Sequence, residues 1–223
     1  VYIHTNNKKA YDILSGMTDY VINRMSKLSN KTIERMIYTV EANPQNEMGA
    51  MNEVLYKLYQ ISKAPKHLAL AKLFDPDWFA DPLYKNEDIL SGLHSNTHLV
   101  LVNGFAQRYA ITKEKKYHDA VINFWNILTN HHIYANGTSS GPRPNATTKT
   151  SVTAEHWGEP DHLCNTLTKE IAESCVSHNT QKLCSYIFTW TANPQYADSY
   201  MNTFYNAVLP AQSSHSAAIG DGI

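Results

Sequence analysis

Apolar side chains recur at helical spacing along most of this chain. In residues 8–28 they fall at Tyr11, Leu14, Met17, Val21, Ile22 and Met25, which predicts an amphipathic helix. Residues 30–39 form a short connection leading towards another helix, and Asn43-Pro44 breaks it because proline lacks an amide donor and restricts its predecessor. A helix over 47–61 carries Met51, Leu55, Leu58 and Tyr59 on one side, and a further helix is predicted over 67–74. Residues 75–91, with Pro76 and Pro82, read as a loop. Residues 95–110 are apolar nearly all round, which predicts a deeply buried helix with Ser95 or Asn96 as its N-cap. Amphipathic helices are then predicted over 116–131, 173–189 and 196–208, with a frayed tail after Pro210. The stretch 136–153, rich in Gly, Pro, Ser and Thr, is long for a loop inside a compact domain, and such loops carry function or mobility.

A repeat lies inside this pattern. An aromatic-ended helix, a short turn containing Ser or Thr, and a second helix recur at Tyr59…Ser62…Phe74, at Tyr109…Thr112…Phe124 and at Trp190-Thr191…Phe204. Short turns make the paired helices antiparallel neighbours, and hairpins of this kind must stack to bury their faces. The fold class expected is all-α, either an open solenoid or a closed (α/α) toroid. The chemistry-bearing connections at Glu47, His94, residues 134–155 and Glu173 all precede the first helix of a pair, which favours a toroid with its pocket at one mouth.

Composition narrows the function. With 223 residues and a net charge of -1, there is room for a large core and no electrostatic footprint for nucleic acid or an anionic membrane. No apolar run is long enough to span a bilayer. Fourteen tyrosines and four tryptophans suit a carbohydrate site and equally a large helical core. Sequons at Asn30, Asn136 and Asn145 point to a secreted or lumenal, glycosylated protein. The first residue, Val1, suggests a processed or truncated start. Three cysteines, Cys164, Cys175 and Cys184, leave at least one free, metal-bound or paired outside the chain.

The candidate chemistry concentrates in residues 155–175. Glu155, Glu159, Asp161, Glu170 and Glu173 lie here with His156, His162, Cys164 and Cys175. A glutamate can exchange a proton with a substrate. Glu173-Ser174-Cys175 places a hard and a soft donor two residues apart, a combination that suits zinc. The alternatives are a disulfide or a cysteine buried as a small hydrophobe.

An ordered set of motifs carries a resemblance. Met51-Asn52-Glu53-Val54-Leu55, Gly92-Leu93-His94 with Asn96-Thr97, Glu155-His156-Trp157, Glu173-Ser174-Cys175, and the run from Phe188 through Trp190-Thr191 to Tyr196-Ala197-Asp198 stand in this order over residues 10–210. Together they resemble glycoside hydrolase family 127, the β-L-arabinofuranosidases and their relatives. The resemblance implies an (α/α)6 barrel followed by β-rich domains, and retaining cleavage of a terminal arabinofuranoside. It implies a glutamate acid/base, here Glu155 with Glu159 as competitor, and a cysteine thiolate nucleophile held on zinc. It places zinc ligands on Glu173 and Cys175, and sugar contacts on His94, Asn52, Glu53, His132 and Tyr134.

One departure is serious. The family's nucleophilic cysteine follows its Glu-x-Cys motif at a distance, and no cysteine lies beyond Cys184 here. The expectation is therefore a partial barrel whose nucleophile, downstream helices and β domains lie outside these residues, in a second chain or in the rest of a longer one. The competing expectations are an inactive toroid that binds a glycan or a partner, and a structural subunit of an extracellular assembly.

Overall fold

A computed structural model describes residues 1–37, 48, 50–141, 155–166 and 173–212. Its elements are helical: α1 (Tyr2–Thr5), α2 (Lys8–Met25), α3 (Asn30–Ile37), α4 (Met51–Ser62), α5 (Pro65–Leu73), α6 (Asp77–Tyr84), α7 (Ser95–Thr112), α8 (Lys115–Ile127), α9 (Ser174–Thr191) and α10 (Pro194–Thr203). Single π-helical turns, Leu128–His132 and Phe204–Val208, extend α8 and α10. Among the described residues no strand forms; isolated bridges join His156 to His94 and to Gly141.

The three predicted hairpins are α4/α5, α7/α8 and α9/α10, and their turns share one construction. Lys63, Lys113 and Ala192 each end the first helix in the left-handed region, with φ of 55°, 59° and 52°. Each returns its N–H to an aromatic residue's carbonyl, at Tyr59, Tyr109 and Phe188. The Ser62, Thr112 and Thr191 hydroxyls then accept from the N–H two residues on, at 3.2, 3.3 and 3.2 Å. One extended residue follows and the second helix begins. The hydroxyl satisfies a backbone donor that the turn would otherwise leave without a partner.

The first helices of the hairpins pack side by side, α4 on α7 and α7 on α9, while α6 lies along α8. The middle helix α7 is buried along most of its length, from Ser95 to Arg108 with the single exception of Asn96. At its crossing with α4 the side chain of Asn52 occupies the space a Cβ on Gly104 would need, so glycine is required for this close approach. The main core gathers Phe79, Leu83, Phe105, Phe124, Trp157, Leu183 and Ile187. A second cluster of Met25, Leu55, Tyr56, Leu70, Ala71 and Phe74 seats the C-terminal half of α2 on α4 and α5.

Two expectations are corrected. Residues 77–84 form α6 rather than loop, with Pro82 inside the helix. Proline forfeits one backbone bond there, but Phe79, Ala80 and Leu83 become fully buried, a gain of about 1.5–3 kcal/mol for each large side chain. The N-cap of α7 is His94, not Ser95 or Asn96: its Nδ1 accepts the Thr97 N–H at 3.2 Å. Glu47, Gly49, Asn145 and Glu170, along with most of the loop over 136–153, lie outside the described residues.

The turn geometry yields a test. Ala192→Gly should raise stability by roughly 0.5–1 kcal/mol, because left-handed strain of about 1–2 kcal/mol is relieved and extra unfolded-chain entropy offsets part of it. Urea denaturation of the two proteins measures the difference.

Candidate functional site

The N-terminal ends of α7 and α9 lie together and define one mouth of the helical layer. The segment entering α7 pairs with residues 155–157. Gly92 N–H donates to Trp157 O at 2.9 Å, Trp157 N–H to Leu93 O at 3.0 Å, and Ser95 N–H to Glu155 O at 2.7 Å. The Ser95 hydroxyl also donates to Glu155 O at 2.7 Å. On the other side, His156 and Gly141 exchange bonds of 2.7 and 2.8 Å. Trp157 is fully buried, and its indole N–H donates to Ser139 Oγ at 2.9 Å. Ser140 Oγ accepts the Glu173 N–H at 3.3 Å, tying the start of α9 to the same layer.

This frame fixes Glu155. Its backbone sits in the left-handed region at φ 69°, which turns the side chain out of the pairing. His94 Nε2 and Glu155 Oε2 are 2.8 Å apart. Because His94 Nδ1 accepts from Thr97, the ring carries its proton on Nε2 and donates it to the carboxylate. The His156 ring packs edge-on against His94, with centroids 5.4 Å apart.

Glu173 is the residue before α9, and Cys175 lies in its first turn with Sγ donating to Glu173 Oε1 at 2.8 Å. Partial burial pushes the Cys175 thiol up to about 11, reinforced by the hydrogen bond to Glu173 and by the negative charges of Glu173 and Glu155. Glu155 is the smallest of these contributions, and it acts from the start of α7, the helix end tied to the start of α9. Asn179 Nδ2 donates to Asn96 Oδ1 at 2.9 Å and to Cys175 O at 3.1 Å, bolting α9 to α7 behind the pair. None of the three cysteines is in a disulfide: Cys164 and Cys175 are exposed, and Cys184 is buried in the core, its thiol pushed up to about 12 by burial. No disulfide joins two of these three cysteines.

The donor chemistry suits a cation in part. A carboxylate and a sulfur in contact, with a further carboxylate nearby, gain from a positive ion that would hold the sulfur as thiolate. Zinc usually takes four donors, and no group of three or more His, Cys, Asp or Glu suited to a metal occurs among the described residues. Among the described residues Glu173 and Cys175 are a carboxylate and a thiol in direct contact.

The other sequence candidates lie elsewhere. Glu159 accepts from Ser91 Oγ at 2.7 Å and braces the loop. Asn52 is fully buried: its Nδ2 donates to Asp75 Oδ1 at 2.9 Å and to Leu101 O at 3.1 Å, and its Oδ1 accepts the Glu53 N–H at 2.8 Å. Asp75 also takes Arg108 at 2.8 Å and the Tyr56 hydroxyl, so Asn52 serves a core network rather than the mouth. Glu53 is buried between α4 and α9, against Lys57 at 2.6 Å, Lys182 at 2.7 Å and the Tyr186 hydroxyl at 2.8 Å. His132, buried in the π turn, bonds Asp88 at 2.8 Å. Tyr134 lines a separate cavity of about 430 Å3 beside Asp198, Asn202 and Thr203. Asn30 is exposed at the start of α3, and Asn136 Oδ1 accepts the Thr138 N–H at 3.3 Å. Sequence reasoning missed Asn179, whose signal was a polar residue on an otherwise apolar helix face, and took Ser95 only as a helix cap, whereas it holds the Glu155 carbonyl.

Comparison with known proteins now decides the family. The family model described as "Beta-L-arabinofuranosidase, GH127 catalytic domain" matches residues 1–219. The chain belongs to this family. Among solved structures, a GH127 β-arabinofuranosidase is similar with TM-score 0.70 and 18% identity, over 95% of this chain and 32% of that one. A chain described as a glycoside hydrolase matches with TM-score 0.69 and 18% identity, over 95% and 36%. A GH127 β-L-arabinofuranosidase from Geobacillus stearothermophilus T6 gives TM-score 0.62 and 15% identity, over 93% and 34%. This GH127 chain spans about a third of the length of those structures, and at such identity they show a common helical fold. No curated protein matches.

Two outcomes follow for this GH127 site. His94→Ala should cost about 1 kcal/mol of stability through the lost cap, and His94→Asn should recover most of it, since asparagine caps a helix but is too short to hold Glu155; urea denaturation of both variants checks this. For Glu53, burial pushes its pKa upward, but hydrogen bonds from Lys182, Lys57 and Tyr186 outweigh that and hold it below 4.5. Its contribution to stability is full above the unfolded value and is lost as pH falls through the lower folded value. Glu53→Gln should therefore flatten stability against pH in that acid range, as followed by denaturation at stepped pH.

Proposed function

We propose that this chain forms part of a retaining glycosidase acting on terminal L-arabinofuranosides, with Glu155 as the acid/base. The observation that supports it is that Glu155, held by His94 at the start of α7, lies at the same end of the helical layer as the Glu173/Cys175 pair at the start of α9. In this reading Glu155 protonates the departing glycosidic oxygen and later takes a proton from the water that releases the sugar. His94 holds Oε2 by its Nε2–H, which leaves Oε1 for the proton transfer. Glu173 and Cys175 would hold one side of a zinc ion, whose charge would stabilise thiolate at neutral pH. The nucleophilic cysteine and the remaining donors would come from beyond these 223 residues, where further barrel helices and β domains are also expected. Among the sugar contacts, His94 fits best; Asn52, Glu53, His132 and Tyr134 act at most indirectly. The substrate is a carbohydrate, and no helix among the described residues is long and apolar enough to cross a membrane. A secreted or lumenal location is part of the proposal, with Asn30 an exposed sequon.

A second reading is a glycan-binding toroid without catalysis. It is favoured by the cysteine inventory: Cys184 is buried, and Cys175 is the thiol of this chain at the mouth.

Release of nitrophenol from aryl L-arabinofuranosides by the intact protein separates the two. Glu155→Gln should lower kcat/KM by about 10²–10⁴. Chelation should abolish release, zinc should restore it, and Cys175→Ser should weaken zinc binding measured directly. Undiminished release by Glu155→Gln, or release indifferent to chelation, would sink the mechanism.

A further inference from the structure

A second polar groove, of about 550 Å3, opens at the C-terminal end of α8 beside the loop that carries Glu155. Asn123, Asn126 and Asn130 stand at spacings of three and four residues and so share one helix face. Asparagine is a poor helix former; Asn123 is accounted for by its bonds to the end of α6, whereas the exposed Asn126 and Asn130 serve no packing contact. The π-helical turn Leu128–His132 follows directly, a distortion that often marks a functional site.

The walls of this groove are braced from behind. Asp88 accepts from the buried His132 Nε2 at 2.8 Å and from the Leu90 N–H at 3.0 Å. Asp161 Oδ1 and His131 Nδ1 are 2.9 Å apart, and the Asp161 N–H donates to His131 O at 3.1 Å. Asn123 Nδ2 donates to the Leu83 and Tyr84 carbonyls, which leaves its Oδ1 as an acceptor. Asn126 and Asn130 are exposed and make no side-chain hydrogen bond among the described residues. Fixed carboxylates and an imidazole beside free carboxamides offer both donors and acceptors at set positions. No Lys or Arg lines the groove, so an anion has no partner there, and no metal-type cluster occurs among the described residues. A neutral polyol fits this chemistry, and the volume is of the size that small ligands occupy.

We propose that this groove is a sugar-binding subsite for further residues of the oligosaccharide whose terminal residue is cleaved at Glu155. Asp161 lies six positions after Glu155 in the described segment 155–166, and its N–H donates to His131 O, so this segment runs from the carboxylate to the groove wall. The class of ligand rests on the glycosidase reading; the location does not.

The test is titration of the intact protein with an arabinofuranosyl disaccharide, reading side-chain amide resonances of asparagines and the His94 ring. Asn126 and Asn130 should shift, the Asn126→Ala/Asn130→Ala double variant should bind about tenfold more weakly, and Glu155→Gln should retain the groove shifts. Both asparagines are exposed on an outer helix, where alanine favours the fold. Groove shifts without His94 shifts would overturn the link between this groove and the Glu155 site, whatever the nitrophenol assay shows for the hydrolase. Shifts at His94 alone would overturn the subsite and leave the hydrolase standing. Equal shifts with calcium chloride or inorganic phosphate alone would overturn the sugar assignment.

Discussion

The mouth depends on Trp157. An indole buried this completely removes roughly 150–250 Å2 from water, on the order of 4–6 kcal/mol. Glu155, two residues earlier, sits in a left-handed conformation that costs about 1–3 kcal/mol for a residue with a Cβ. Burial of the tryptophan outweighs that strain, and the hydrogen bonds of residues 92–95 to 155–157 convert the anchor into a fixed register. A one-residue slip would take Trp157 out of the core, so its burial fixes the register. The acidic side chain is therefore placed by a packing force that has no chemistry of its own.

Electrostatics at the mouth then set up an imbalance that the described residues leave open. Two helix N-termini, of α7 and α9, meet there, and each offers partial positive charge to the carboxylates of Glu155 and Glu173. The same carboxylates oppose ionisation of Cys175, so the thiol is held protonated near neutral pH in the absence of a cation. An exposed sulfur in such company gains nothing as a structural hydrophobe, in contrast to Cys184, which fills the core. The protonated thiol instead donates to Glu173 Oε1, so the pair is held by a hydrogen bond.

Much of the fold was legible because its signals were local. Periodicity found the long helices, and the Ser/Thr after an aromatic helix end marked the hairpins because that hydroxyl closes the turn at Ser62, Thr112 and Thr191. α6 was hidden because two prolines signal a break while tertiary burial of Phe79 and Leu83 decides the outcome. The His94 cap was hidden because imidazole seldom caps a helix and its second nitrogen answers to a residue 61 positions away. Glu155, Glu173 and Cys175 were singled out through motif order alone, since nothing local tells a solvated carboxylate from a positioned one. Asn52 and Glu53 looked ligand-facing because a sequence does not reveal that buried partners from α7 and α9 consume their polar atoms.

Those buried polar residues explain the last element of placement. Apolar faces of α4, α7 and α9 would tolerate sliding along their axes, because hydrophobic contact is non-directional. Asn52 against Asp75 and Leu101, Glu53 against Lys182, and Asn103 against Asn179 each tie neighbouring elements at a defined height. A shift by one turn would leave a buried charge or amide without its partner, at a cost of about 3–5 kcal/mol for an ion pair. The network thus levels the starts of α7 and α9 against each other. His94 precedes the first residue of α7 and Glu173 the first residue of α9, so that level brings the carboxylate held by His94 beside the sulfur held by Glu173.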